Sequence, residues 1–378
     1  MRCVGALPPR VTLTRRVACL TRCTSLVSLL ALAACDVSPG ERDVTLAYAV
    51  QEFEARVPAS HGAVLAGTLT RPVLSPGKRP PVVILVGGSG PQDRDGTRIE
   101  LPGYRPFRDL AFALGAAGIA VLRLDDRGTG ASSGRFADAT TVDFADDVGA
   151  ALQWLRGRRD VAGGRPALLG HSEGAVVALI AASRDSSVSA LVLLGAPSRT
   201  GRELARWQRA ALVATDAAAY PRAQHDALLA QAEEEAERLA REDSWMRVWF
   251  SLDPRAVARA TRAPALLLHG ENDRQVPVEQ GEELASALSA RAGEARTRSD
   301  VVLRRFPATD HLFLEDHDGD PRGYARLADR RLRREVSAAI TAWLQAHYRT
   351  DRRARATPHS AVLRDTFGAA SHALSNEH

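Results

Sequence analysis

The sequence predicts an α/β fold: a mostly parallel central sheet flanked by helices, with a helical cap insertion at 196–262. Three observations predict it. Short apolar runs alternate with helix-length amphipathic segments, the pattern of a parallel sheet covered on both faces. The pentapeptide Gly170-His171-Ser172-Glu173-Gly174 joins the apolar run Ala167-Leu168-Leu169 directly to the helix-like run Ala175 to Ile180. The alternation then stops after Ala196 and resumes with the strand-like Ala265-Leu266-Leu267-Leu268.

The elements follow in order. Phe53 to Val57 and Val64 to Thr70 alternate in polarity like antiparallel edge strands. Val82 to Val86 is a short buried strand, followed by the glycine-rich turn Gly87-Gly88-Ser89-Gly90-Pro91. A helix is expected near Phe107 to Ala117, a strand at Ala120 to Leu124 and a helix from Phe144 to Arg156. After the pentapeptide and its helix, Val188 to Leu194 reads as the next strand. The insertion shows helical spacing at Leu228, Leu229, Ala232, Ala236 and Leu239, and holds Trp207, Trp245 and Trp249, three of the five tryptophans. These aromatic rings serve either to line an acyl pocket or to pack the insertion on the body. Val301 to Phe306 is a further strand, and Val336, Ile340, Trp343 and Leu344 mark a closing amphipathic helix. The arginine-rich tail, residues 349–378, has no apolar period and is expected to be disordered.

A strand that turns sharply into a helix at a serine holds the hydroxyl exposed at the helix N-terminus, where a developing oxyanion is favoured. The flanking glycines are required because side chains there would meet the neighbouring strand and helix. A serine hydroxyl needs a base, usually histidine, held by a carboxylate. In this architecture the order along the chain is serine, acid, histidine. Asp273, in the loop after the Ala265 strand, is the candidate acid, with Glu271 its rival. His311 follows the next strand and is the candidate base. His317 sits in the acidic stretch Glu315 to Asp320, read as a solvated loop without the spacing of a calcium site. Asp310, beside His311, is expected to point elsewhere. The oxyanion needs two backbone N–H donors: one from Glu173, the other from Ser89, with Gly88 as the alternative. The Gly128-Thr129-Gly130 turn is one residue off a dinucleotide fingerprint and follows the wrong strand, so it reads as structural.

Gly170 to Gly174, Asp273 with Val276-Pro277, His311-Leu312-Phe313, Gly88 to Gly96 and Asp125-Asp126-Arg127-Gly128-Thr129-Gly130 together resemble the α/β-hydrolase superfamily. Within it the chain resembles bacterial serine hydrolases related to dienelactone hydrolases and prolyl-oligopeptidase catalytic domains, from about Phe53 to Tyr348. The resemblance implies an acyl-enzyme mechanism, usually on small-molecule esters, with no metal or organic cofactor. In one departure, Gly87 stands where many relatives carry histidine, which leaves the second oxyanion donor open between Ser89 and Gly88.

Residues 1–34 are expected to be a signal peptide. Arg15, Arg16 and Arg22 precede the apolar stretch Leu26 to Ala34, too short to span a bilayer. It ends in Leu32-Ala33-Ala34-Cys35, which resembles a bacterial lipobox and implies lipid attachment at Cys35. Three of the four cysteines lie in this leader and the fourth is Cys35, the anchoring one, so an exported domain would hold no disulfide. The predicted localisation is the cell envelope, lipid-anchored to a membrane; the alternative is a secretory signal that is simply cleaved. Residues 36–52 are expected as a linker and 53–348 as the hydrolase domain. Lys78 is the only lysine, so a Schiff-base lysine, a Ser-Lys dyad or a phosphate-loop lysine would each have to be that turn residue. Net charge is +5, spread over scattered arginine. No basic stripe with interleaved aromatics argues for nucleic acid.

Two other functions remain beside the esterase reading: a small-peptide peptidase or amidase with the same triad, and a non-catalytic envelope binding protein built on a hydrolase fold.

Overall fold

Eight strands form one sheet in the order β1-β2-β4-β3-β5-β6-β7-β8. The computed structural model describes residues 47–215, 222–290 and 300–356. β1 (Val50–Pro58) pairs antiparallel with β2 (Val64–Pro72), and β2 antiparallel with β4 (Ala120–Leu124). The other strands run parallel: β3 (Val82–Val86), β5 (Ala167–His171), β6 (Ala190–Leu194), β7 (Ala265–Gly270) and β8 (Val301–Phe306).

Side-chain alternation decides what covers each face. Ile84, Leu168, Leu191, Leu193 and Leu267 point into a core shared with α2 (Thr141–Arg156), α3 (Glu173–Arg184) and α8 (Val278–Ser289). Their neighbours Val83, Leu85, Leu169, Val192, Leu266 and Leu268 pack on the other face against α1 (Pro106–Ala116) and α9 (Arg334–Ala356). Strands buried on both sides explain why the sequence reads as continuous apolar runs.

Between β6 and β7 the chain forms α4 (Gly201–Thr215), α5 (Arg222–Glu242), α6 (Ser244–Ser251) and α7 (Pro254–Ala260). Ala236, Ala240, Trp249 and Phe250 join the core on the α2–α3 face. A Cβ placed on Gly201 would lie 2.1 Å from Trp249, so this ring fastens α6 onto the start of α4.

Two boundaries differ from the sequence expectation. β1 begins at Val50, inside the segment expected as linker, because its pairing with Pro72 extends the ladder. α9 continues to Ala356, so the disordered tail expected from residue 349 is helical over its first turns. Local contacts support those turns in place of an apolar stripe: Thr350 Oγ1 donates to Ala346 O at 3.1 Å, and Asp351 pairs with Arg165 at 3.4 Å.

The strand order reverses between β3 and β5: β4 follows β3 on one side, β5 on the other. At such a switch point the loops leaving the two strands diverge and open a crevice beyond their carboxyl ends. Ser172 and the Gly88 turn both stand there.

Candidate active site

Ser172 closes β5 and caps α3 with φ +55 and ψ −122, a left-handed conformation that costs a non-glycine residue energy. Its neighbours enforce it. The Ser172 amide donates to Leu194 O at 2.8 Å, pinning the turn to the end of β6. A Cβ on Gly170 would lie 2.1 Å from Gly174 O, and one on Gly174 would lie 2.1 Å from Gly87 O. Both glycines are therefore fixed by close backbone approach, as the sequence pattern requires.

Asp273 is fully within the protein, in the turn after β7. Its Oδ1 accepts the Gln275 and Val276 amides, each at 2.8 Å, and its Oδ2 accepts from His311 Nδ1 at 2.7 Å. Burial opposes ionisation, but the adjacent His311 and the hydrogen bonds from His269 and His311 outweigh it and hold this carboxyl well below the usual carboxylate range. With Nδ1 donating to Asp273, His311 presents Nε2 as its free nitrogen. Glu271, the rival acid, is exposed.

Gly195, the residue after β6, brings the dyad to the serine. It has φ +53, and a Cβ there would lie 3.1 Å from His311 Nδ1 and 3.4 Å from Asp273 Oδ2. The preceding carbonyl, Leu194 O, is the one that holds the Ser172 amide. The Asp273–His311 pair and the elbow thus lean on the two halves of a single dipeptide. Sequence reasoning missed Gly195; its signal was a glycine ending an apolar strand.

The oxyanion side is set by the same close approaches. The first N–H groups of a helix lack intrahelical acceptors, and the Glu173 amide begins α3. Ser89 is exposed in the turn after β3, whereas Gly88 stands against Ser172: a Cβ on it would lie 3.3 Å from Ser172 Cβ. Cys35 lies outside the described residues.

Three further side chains emerge only in three dimensions. His171 donates from Nε2 to His311 O at 2.8 Å, and the two rings lie 4.8 Å apart. Burial, reinforced by His311, lowers the His171 pKa to about 3, so the ring is neutral at ordinary pH. The Glu173 carboxylate is buried beneath the elbow and accepts from Thr141 Oγ1 at 2.6 Å and from Trp245 Nε1 of α6 at 2.7 Å. Gln208 of α4 donates to Gln275 O, in the acid loop, at 2.8 Å. The helices between β6 and β7 therefore hold both the elbow and the acid turn.

The remaining expectations resolve simply. Asp310 turns away from the His311 ring, its Oδ1 accepting the Leu314 amide at 2.8 Å. His317 is exposed. The Gly128–Gly130 turn wraps the Asp125 carboxylate, which accepts the Ala131 amide at 3.0 Å. Among the described residues no group of three or more His, Cys, Asp or Glu is placed to hold a metal ion.

A doubly covered parallel sheet with a serine elbow at its switch point defines the α/β-hydrolase fold. Residues 104–302, just over half of the chain, match the family described as serine aminopeptidase, S33, and the chain belongs to that family of hydrolases. Over 250 residues it is 30% identical to Esterase EstD of Thermotoga maritima, covering 62% of this chain and 55% of that protein. The chain thus spans about half the length of the curated relative it matches. Among solved structures it is similar to an esterase of Pyrococcus furiosus, with a TM-score of 0.51 and 16% identity over 78% of this chain and 91% of the other. It is equally similar to Est1E of Butyrivibrio proteoclasticus, solved with ferulic acid, with a TM-score of 0.51 and 17% identity over 78% and 99%. At such identities these two likenesses speak for the fold alone.

Proposed function

We propose that the protein is a serine hydrolase that cleaves small-molecule carboxylic esters through an acyl-enzyme. Ser172 Oγ attacks the ester carbonyl while His311 Nε2 takes its proton. Asp273 holds the imidazole in that tautomer and stabilises the imidazolium that forms. The carbonyl oxygen becomes an oxyanion, met by the Glu173 amide and an amide of the Gly88–Ser89 turn. His311 then gives the proton to the departing alkoxide, which leaves as the alcohol. Water, deprotonated by His311 in turn, attacks the acyl-enzyme; the carboxylic acid leaves and Ser172 recovers its proton. The helices of 196–262 serve as a cap over this edge.

One observation carries the reading: the buried Asp273–His311 hydrogen bond of 2.7 Å, packed on Gly195 next to the carbonyl that holds Ser172. The decisive measurement is hydrolysis of short nitrophenyl esters by the parent and by Ser172→Ala, with labelling by a fluorophosphonate probe. Loss of turnover by about a millionfold and loss of labelling are expected in the variant. Full turnover in Ser172→Ala would overturn the assignment, and a folded parent that resists the probe would favour a non-catalytic binding protein. The family's description as an aminopeptidase supports a second reading, cleavage of small peptides or amides. Faster turnover of aminoacyl-anilides than of esters would select it.

The leader ending at Cys35 is proposed to export the protein and anchor it by lipid on the outer side of a membrane. Incorporation of labelled palmitate that Cys35→Ser abolishes is the expected result.

A further inference from the structure

The edge of the sheet opposite the candidate site has a different chemistry. Lys78 and Arg79 stand in the turn that feeds β3, and Ala117 to Ile119 feed β4, so both segments lie at the amino ends of the parallel strands. α9 returns to this same edge: Tyr348 Oη donates to Val82 O at 2.8 Å and accepts the Ala167 amide at 3.2 Å. The chain also enters the fold here, the Tyr48 amide donating to Ala116 O at 2.9 Å. Tyr48, Lys78, Arg79, Gly118, Arg349 and Arg352 line one open groove, and no carboxylate is among its lining residues. All four cations are exposed, and the Tyr48 ring is 43% exposed. The nearby Asp351 faces Arg165 at 3.4 Å, and Arg353 and Arg355 follow in sequence.

We infer that this groove is a docking face for the surface of a bilayer containing anionic phospholipid, holding the catalytic edge pointed away from the membrane. Cations gathered without a carboxylate around an open groove favour an extended anionic surface over a small enclosed ligand. Basic side chains beside an anionic leaflet add attraction within a Debye length, and an exposed tyrosine suits the headgroup level. Chain length agrees. The eleven residues 36–46 separate Cys35 from the described fold and span at most about 40 Å when fully extended. A lipid at Cys35 would therefore keep this edge, where the chain enters, close to the bilayer. The inference rests on the anchored reading for its setting, but the groove's own lipid preference is tested separately.

The test compares flotation of the full chain with vesicles of phosphatidylcholine alone and of phosphatidylcholine with phosphatidylglycerol. Stronger binding to the anionic vesicles is expected. The quadruple variant K78E/R79E/R349E/R352E should reduce that binding by about tenfold or more, as should raised salt, with ester turnover unchanged. The double variant R349E/R352E, with its thermal melt, guards against misfolding and should give an intermediate loss. Equal binding of parent and quadruple variant to anionic vesicles would overturn the inference. So would binding of the parent to a soluble oligonucleotide as tight as its binding to the vesicles, which would make the groove a general polyanion site. Cys35→Ser separates the two readings: it removes a lipid anchor in cells but leaves the vesicle preference intact.

Discussion

Asp273 illustrates how much one side chain is asked to do. Four groups converge on its two oxygens: the Gln275 and Val276 amides on Oδ1, and His311 at 2.7 Å with His269 at 3.5 Å on Oδ2. The two amides fix the carboxylate's orientation, which in turn fixes the His311 tautomer. Asp273→Asn keeps the shape but turns an acceptor toward a donor, so ester turnover should fall by about ten-thousandfold. A loss of less than tenfold would argue that another carboxylate supports His311. His171 makes a separate prediction about stability. Its folded pKa of about 3 lies below the ordinary 6.5, so between these values the unfolded chain binds the extra proton. The stability it contributes is therefore present above pH 6.5 and lost as pH falls toward 3. Asp126 and Asp310 act in the opposite sense. Burial raises both to about 7, so their contribution is present at low pH and is lost as pH rises from their ordinary 3.8 through 7. Because the two slopes oppose each other, the informative quantity is a difference. Denaturant midpoints of His171→Gln should decline less on acidification below pH 6.5 than those of the parent, and parallel curves would refute the assignment.

At the scale of elements, the elbow is held from three sides: by β6, whose Leu194 O accepts the Ser172 amide, by β3 and by α6. β3 approaches so closely that Gly174 has no room for a Cβ, with Gly87 O at 2.1 Å. A methyl there requires the β3–β5–α3 junction to open. Gly174→Ala should accordingly destabilise the fold by about 3 kcal/mol or leave it insoluble, read by thermal melting. The third side is α6, through Trp245 Nε1 on Glu173. Trp245 and Trp249 lie stacked, 6.1 Å apart with planes inclined by 9°. Trp249 is buried on Gly201, so it packs the insertion, whereas Trp245 is half-buried and linked to the elbow. Trp245→Phe keeps most of the ring but removes the donor from a buried carboxylate, worth about 1–3 kcal/mol of docking. The expected result is faster proteolysis within 196–262 and a raised KM, with fluorophosphonate labelling of Ser172 retained. Glu173→Gln, which preserves an acceptor, should do less.

For the whole molecule, α9 is the element that ties the far end of the chain to the centre of the sheet. Val336, Ile340 and Leu344 are completely buried, and the Tyr348 hydroxyl bridges β3 and β5 through Val82 O and the Ala167 amide. Those strands carry the Gly88 turn and the elbow at their opposite ends. Tyr348→Phe removes two buried hydrogen bonds from the β3–β5 seam and should cost about 1–3 kcal/mol. The loss should appear in the melting temperature while kcat/KM at low temperature stays near the parent value. A kinetic loss without destabilisation would contradict this reading. The sheet also separates chemistry by end: the carboxyl ends of the strands hold the candidate active site, and the amino ends hold the basic groove and the chain's point of entry.

Much of this was legible in the sequence because it rests on local rules. Period-two burial, apolar runs bounded by glycine and the spacing of a strand–serine–helix turn are properties of neighbouring residues. They placed the strands from Val82 to Phe306, the elbow, and the loops holding Asp273 and His311. The misjudged C-terminal boundary was of another kind: residues 349–356 lack an apolar stripe, and a helix continuing on hydrogen bonds and an ion pair leaves no periodic trace. Gly195, His171, His269 and the Trp245–Glu173 bond were illegible for a stronger reason. His269 acts within its own strand and turn, four residues before Asp273. The others act between segments roughly seventy to one hundred and forty residues apart, and only the packing of strands and helices sets which of them meet.

By itself, then, the chain of residues determined the alternating sheet, the strand–serine–helix elbow and the placing of Asp273 and His311 in loops after successive strands, because short-range sterics and hydrophobic periodicity dictate them. Tertiary structure alone decided that β3 and β5 would flank the switch point, that Gly195 would seat the Asp273–His311 pair, and that the insertion would grip Glu173. Those outcomes depend on which strands lie side by side, and burial of both sheet faces, a property of the complete fold, selects that order.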